Sequence, residues 1–150
     1  MTNTAEEWTG HWRWRSDTAV FTNPHHENVW REQTQEVRVE GQALFMKTRQ
    51  VFMDGSVRSW TWDGAFDGQP RPIIWDDDGS TMATIAFVLV DNGLAGDVYR
   101  SADGAFTGAE YLTIEEDRVR VWGSSTSEGR QYTYFEEWER DNQATGRNRS

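Results

Sequence analysis

The sequence predicts an all-β domain: a single up-and-down antiparallel barrel of about eight to ten strands around an internal cavity. Three observations predict it. From Thr34 onward, short runs rich in β-branched and aromatic residues recur along the chain. The runs are separated by pairs that accept positive φ, namely Asp54-Gly55, Asp67-Gly68, Asp78-Gly79, Asn92-Gly93 and Asp103-Gly104, with Glu40-Gly41 and Glu128-Gly129 as weaker versions. No stretch after Thr34 carries a helical period.

Composition narrows the class of function. A chain of 150 residues is one ordinary domain, long enough to bury a core. A net charge of −10 argues against nucleic acid or an anionic membrane as partner, since both need a basic face. The absence of cysteine removes disulfides, thiolate metal sites and thiol nucleophiles. No apolar run is long enough to cross a bilayer, and Met1–Trp8 is polar and acidic rather than signal-like, so the expected location is cytoplasmic. Nine tryptophans exceed what one core needs. They suggest aromatic walls around something or a contact surface; the plainer alternative is a core that happens to be aromatic.

Taken in order, Met1–Glu7 reads as a loose tail or a short helical turn leading into Trp8. The first strand is Thr9–Arg15, with Trp12 and Trp14 on one side and His11 and Arg13 on the other. In Ser16–Gln33, Asn23-Pro24 signals a turn, and His25–Arg31 reads as a turn or two of helix placing Val29 and Trp30 against the barrel. The following strands are Thr34–Glu40, Ala43–Met53, Ser56–Phe66, Arg71–Trp75, Thr81–Asp91, Leu94–Ser101, Phe106–Ile114, Arg118–Ser124 and Arg130–Arg140. Gly64, inside a strand, is expected at a bulge or bend. The domain therefore spans residues 1–140, and polar Asp141–Ser150 is expected to be a disordered tail. Short turns favour a meander, and a meander of about ten strands avoids two long edges by closing; a barrel is preferred to a sandwich.

Gly10-His11-Trp12 resembles the Gly-x-Trp that opens the first strand of lipocalins. With the variable segment after it, the hairpins, and the strand leading to Asp67-Gly68-Gln69-Pro70-Arg71-Pro72, the layout of Thr9–Arg140 is similar to that of bacterial lipocalin-like domains of unknown function. The resemblance implies a small calycin-type barrel, of the lipocalin and fatty-acid-binding-protein kind, with an internal cavity. It implies no single chemistry. The segment Ser16–Gln33 stands where fatty-acid-binding barrels carry a helical lid, and Arg130-Gln131-Tyr132 is similar to the Arg-x-Tyr that holds their ligand's carboxylate.

Alternation assigns the inner faces. In Ser56–Phe66 the face with Arg58, Trp60, Trp62 and Phe66 should point inward, because it buries more apolar area. In Arg130–Arg140 the inward face is Tyr132, Tyr134, Glu136 and Trp138. In Ala43–Met53 it is Leu44, Met46, Thr48, Gln50 and Phe52. For Arg118–Ser124 either Val119 and Val121 or Arg120 and Trp122 point inward. Thr81–Asp91 is apolar on both faces, Ile85, Phe87 and Leu89 against Met82, Ala86, Val88 and Val90, which suggests a homodimer contact through this strand.

The site so composed would bind a small, largely apolar or aromatic molecule. Trp14, Trp30, Trp60, Trp62, Trp122 and Trp138 would enclose it, and Arg58, Tyr99, Tyr111, Tyr132 and Tyr134 would orient it, with Arg58 favouring an anion. Alternatively, Arg58 and Glu136 form an ion pair with no ligand role. A second reading makes Glu136 the catalytic acid or base of a cofactor-independent isomerase, cyclase or lyase, its pKa raised by desolvation. A third is a structural barrel whose rings fill the interior. No cofactor or metal is expected: His11, His25 and His26 are the only histidines, and adjacent His25 and His26 point apart. There is no phosphate loop, Gly-x-Ser-x-Gly or zinc motif.

Overall fold

A computed structural model describes residues 5–23 and 29–142. A one-turn 3-10 helix, Ala5–Trp8, precedes eleven strands: β1 (Gly10–Trp14), β2 (Val20–Phe21), β3 (Trp30–Glu40), β4 (Ala43–Phe52), β5 (Val57–Ala65), β6 (Arg71–Trp75), β7 (Thr81–Asp91), β8 (Leu94–Ser101), β9 (Phe106–Glu115), β10 (Arg118–Ser127) and β11 (Arg130–Arg140). Every pairing is antiparallel, and each strand from β3 onward pairs with the next. The sheet closes where β1 pairs with both β3 and β11. The two-residue β2 lies beside the other half of β11, Phe21 opposite Tyr134 and Val20 opposite Phe135, so β1 and β2 share one position in the wall. The result is a closed ten-strand up-and-down barrel without an edge to protect.

The turn chemistry acts as the sequence implies. At the β10–β11 hairpin, Glu128 and Gly129 both take positive φ, 52° and 75°, the two-residue geometry whose twist matches the flanking strands. Of the expected helix over His25–Arg31, residues 25–28 lie outside the described residues, but Trp30 and Arg31 belong to β3, which starts four residues before Thr34. A register shift between Trp30 and Glu32 and the polar inner residues Gln33 and Gln35 disguise the start of this strand. The tail expected over Asp141–Ser150 is described only to Asn142, and Asp141 N–H still donates to His11 O at 2.7 Å.

The expected bulge at Gly64 is not there. Pairing runs unbroken from Ala43↔Ala65 through Leu44↔Gly64 to Val51↔Val57. The glycine serves space instead: a Cβ there would meet Trp62 Cη2 at 2.5 Å. Trp62 is wholly buried, packs edge-on against Phe87 with centroids 5.0 Å apart, and donates its indole N–H to Arg71 O at 3.0 Å.

One end of the barrel is plugged by the N-terminal turn. Trp8 is buried and its Nε1–H donates to Asn92 O at 2.7 Å, while Trp12 Nε1–H donates back to Trp8 O at 3.0 Å. Arg140 lies over the Trp12 ring at 4.4 Å and donates to Thr9 O at 3.0 Å and Glu7 O at 3.2 Å. Both indoles thus keep a partner for their one donor while burying their rings.

On β7, Ile85 and Phe87 face inward and are buried, whereas Val88 and Val90 are exposed. The β6–β7 register skips Met82, passing from Ile73↔Ala83 to Ile74↔Thr81, and Met82 joins Ala83 in lining the interior. Ala86, also counted on the outer face, is buried; the segment beyond it is covered by Gly68 N–H donating to Phe87 O and by the Asp67↔Val88 bridge. The outer face offered for a homodimer therefore reduces to the two valines.

The candidate binding cavity

The barrel holds a cavity of about 610 Å³, inside the range of about 300–1,000 Å³ typical of small-molecule sites. Towards the plugged end its walls are apolar: Trp12, Leu44, Met46, Ile73, Ile85, Phe87, Ala95, Leu112, Val119 and Val121. Towards the other end, Phe21 and Trp30 form an aromatic rim, centroids 6.3 Å apart.

The buried carboxyls and the tyrosines that meet them are gathered on the four adjacent strands β8 to β11. Asp97 on β8 sits opposite Glu110 on β9, Glu110 opposite Gly123 on β10, and Gly123 opposite Tyr134 on β11. Gly123 leaves a gap in this cross-strand row, and Tyr134 leans through it so that its hydroxyl donates to Glu110 Oε2 at 2.5 Å. A Cβ on Gly123 would meet Tyr134 Cζ at 2.1 Å. The neighbouring row repeats the device: Tyr99 on β8 lies over Gly108 on β9, where a Cβ would meet Tyr99 Cζ at 2.3 Å. The two tyrosine hydroxyls meet at 2.9 Å. Since Tyr134 spends its proton on Glu110, Tyr99 is the donor in that pair.

Three carboxyls thus share one interior. Asp97 is 5% exposed, and neither of its oxygens has a hydrogen-bond partner. Burial, reinforced by Glu110, holds its pKa well above the usual carboxylate range. Glu136, two residues after Tyr134, also lines the cavity; burial and then the Glu110 charge push it up to about 8, with the Trp14 indole opposing. Burial and Glu110 likewise raise both tyrosines. Two glutamine contacts complete the polar lining, Gln50 Nε2 donating to Gln33 Oε1 at 3.0 Å and Gln35 Nε2 to Thr48 Oγ1 at 2.8 Å. Among the described residues no arginine or lysine lines the cavity.

Of the residues the sequence singled out, Trp30, Trp60, Tyr99, Tyr132, Tyr134, Glu136 and Trp138 line this cavity together. Val119 and Val121 are the inner residues of β10, which settles the orientation of that strand.

Others lie elsewhere. Trp14 is buried against Trp30, centroids 6.2 Å apart, behind the lining, with its indole N–H towards Glu136. Trp62 belongs to the packed core. Tyr111 and Trp122 face outward, 63% and 45% exposed, and are cross-strand neighbours on the outer wall. Arg58 sits at the rim outside the lining: its guanidinium pairs with Asp77 at 2.8 and 2.9 Å and lies over the Trp75 ring at 3.8 Å. The acidic turn after β6 holds it, so it is no partner for Glu136. Arg130, the first residue of β11, is exposed, and Tyr132 reaches the cavity without it.

Asp97 and Glu110 were missed by sequence reasoning. Alternation alone could have found them, since Asp97 shares its face with Ala95 and Tyr99, and Glu110 shares its face with Leu112. Among the described residues no three acidic or histidine side chains are grouped to hold a metal, and no helix is long and apolar enough to cross a membrane.

No family model and no curated protein matches this chain. Solved structures do. A fatty acid transporter, REP1-NXSQ, superposes with a TM-score of 0.61 at 11% identity, covering 90% of this chain and 96% of that one. A Schistosoma mansoni fatty acid binding protein in complex with arachidonic acid gives 0.59 at 13% identity, covering 93% and 99%. The fluorescent protein UnaG gives 0.55 at 12% identity, covering 92% and 100%. At these identities the likeness is one of fold, the closed antiparallel barrel that these proteins share with this chain.

Proposed function

We propose that this protein holds a small, largely apolar molecule inside its barrel. The observation that carries the reading is the cavity of about 610 Å³, walled mainly by rings and aliphatic side chains, with few polar groups among them. The fold supports it, since the similar structures include a fatty acid transporter and a fatty acid binding protein in complex with a lipid. A barrel built only for packing would fill this volume with side chains.

Trp8, Trp12, Trp30, Trp60 and Trp138 border the cavity and supply an intrinsic reporter. Titration with decanol should shift tryptophan emission saturably. Ala95, 2% exposed on the cavity wall, tests the location. Ala95→Phe places a ring in the ligand's volume and should weaken binding about tenfold or more, equivalent to about 1.4 kcal/mol. Absence of a saturable shift in the parent, or unchanged binding by a folded Ala95→Phe protein, would refute the reading.

A second reading, catalysis by an acid or base, rests on one observation: Glu136 faces the cavity with its pKa pushed up to about 8, where it exchanges a proton near neutrality. On this reading Glu136→Gln abolishes turnover of a bound substrate while a neutral ligand such as decanol still binds. Undiminished turnover in that variant would sink it.

A further inference from the structure

Resting on the cavity reading above, we infer that the ligand carries a cationic nitrogen, an ammonium or amidinium on an apolar body, seated against Asp97, Glu110 and Glu136.

The charged residues lining the cavity are all acidic among the described residues. Asp97 is the decisive one. It is buried, it borders the cavity, and both of its oxygens lack a hydrogen-bond partner. Buried carboxyls normally have donors; no protein N–H or O–H donor reaches these two oxygens, and the neighbour close enough to share a proton is another carboxyl, Glu110, so a ligand N–H would supply what the wall lacks. Four donors of the lining are engaged with other residues of the wall: Tyr99 with Tyr134, Tyr134 with Glu110, Gln50 with Gln33 and Gln35 with Thr48. Burial and mutual repulsion hold Asp97 and Glu136 towards their neutral forms when no cation is present.

An ammonium reverses that balance. It brings up to three N–H donors and a positive charge to a set of acceptors, and charge-assisted hydrogen bonds are the stronger kind. Trp30 and Trp138 also line the cavity, and aromatic rings attract a desolvated cation. A fatty carboxylate meets the opposite situation. It would enter beside three carboxyls, with no arginine or lysine among the described lining residues to receive it. The net charge of −10 adds attraction for cations and repulsion for anions at longer range.

The test uses three ligands of equal chain length on the whole protein: decylammonium, decanol and decanoate, each below its aggregation concentration, followed by calorimetry and tryptophan emission. Decylammonium should bind about tenfold or more tightly than decanol, with decanoate weakest. Because an acidic surface also attracts cations, Asp97→Asn and Asp97→Asn/Glu110→Gln are run alongside. They should reduce the ammonium-to-decanol ratio at least about fivefold, with a cooperative urea transition in each variant certifying a folded barrel.

Decanoate binding as tightly as decylammonium would overturn the inference and leave the cavity reading standing. So would an ammonium preference that survives in both variants, which would locate it on the outer surface, or a proton merely shared between Asp97 and Glu110 with all three ligands binding alike. If decanol itself fails to bind, the cavity reading falls and this inference falls with it.

Discussion

Gly123→Ala is expected to destabilise the barrel by about 3 kcal/mol and to pull Tyr134 away from Glu110. The added methyl would sit 2.1 Å from Cζ and 2.4 Å from the hydroxyl oxygen of Tyr134, a ring without a free path outward because Phe21 stacks on it at 6.0 Å. Overpacking of this kind commonly takes about 1–3 kcal/mol, and breaking a hydrogen bond to a charged group takes about 1.5–3 kcal/mol. Gly96→Ala is the control. Its nearest new contact is an ordinary 3.6 Å, and its φ is not in the left-handed region, so its effect should stay within about 0.5 kcal/mol. Urea unfolding of both variants decides the matter. Equal midpoints would mean that the tyrosine does not lean through the gap left by the glycine.

The second large effect is on pH dependence. Glu136 has a folded pKa of about 8 against a reference of 4.5, and Asp97 is raised as well. Between those values the native state holds protons that the unfolded chain has released. Stability therefore falls as pH rises through this window, and the loss is complete above the folded pKa. The groups facing Glu136 offer no relief: Glu110 repels its charge, and the only opposing influence is the Trp14 indole. A shift of this size corresponds to a few kcal/mol at about 1.4 kcal/mol per unit. Below about pH 4 the opposite class takes over. Asp67, drawn down to about 2 chiefly by its hydrogen bond to Arg71, and the turn aspartates Asp54, Asp77 and Asp78, lowered chiefly by side-chain hydrogen bonds to Ser56, Arg58 and Ser80, lose their stabilisation as they are protonated. Thermal melts should peak near pH 5 and decline towards pH 8. Glu136→Gln, and more so Glu136→Gln/Asp97→Asn, should flatten the decline. A parent protein whose melting temperature is level from pH 5 to pH 8 would contradict the buried-carboxyl account.

Much of the wall was legible in the residues. The Asp-Gly and Asn-Gly pairs locate hairpins because turn preference is a local property, and β6, β7, β8 and β11 begin and end where the alternation does. The inner faces of β4, β5 and β11 follow from the same two-residue period. What failed was the assumption that every ring points inward. Tyr111 and Trp122 are turned out because Leu112, Val119 and Val121 claim the inner positions of their strands. Arg58 lies on the correct face of β5 but at its rim, where three successive aspartates, Asp76, Asp77 and Asp78, bring acidic groups within its reach; that pairing depends on tertiary proximity across the β4–β5 and β6–β7 turns. The carboxyl pair was hidden for a related reason. Alternation puts Asp97 and Glu110 each on an inner face, but that they face one another emerges only when β8 and β9 are set in register.

The seam between β1 and β11 has a kinetic consequence. Only Trp12, Arg13 and Trp14 pair across it, and their partners are Trp138, Glu139 and Arg140. Those partners emerge from synthesis after every other strand. Until then the nascent sheet exposes two unsatisfied margins and its indoles to the crowded cell. Contacts so distant along the chain form slowly, because a long loop must be closed before any of them is rewarded. The interval before the seam zips is when this protein is most at risk of sticking to its neighbours, and chaperone demand should concentrate there.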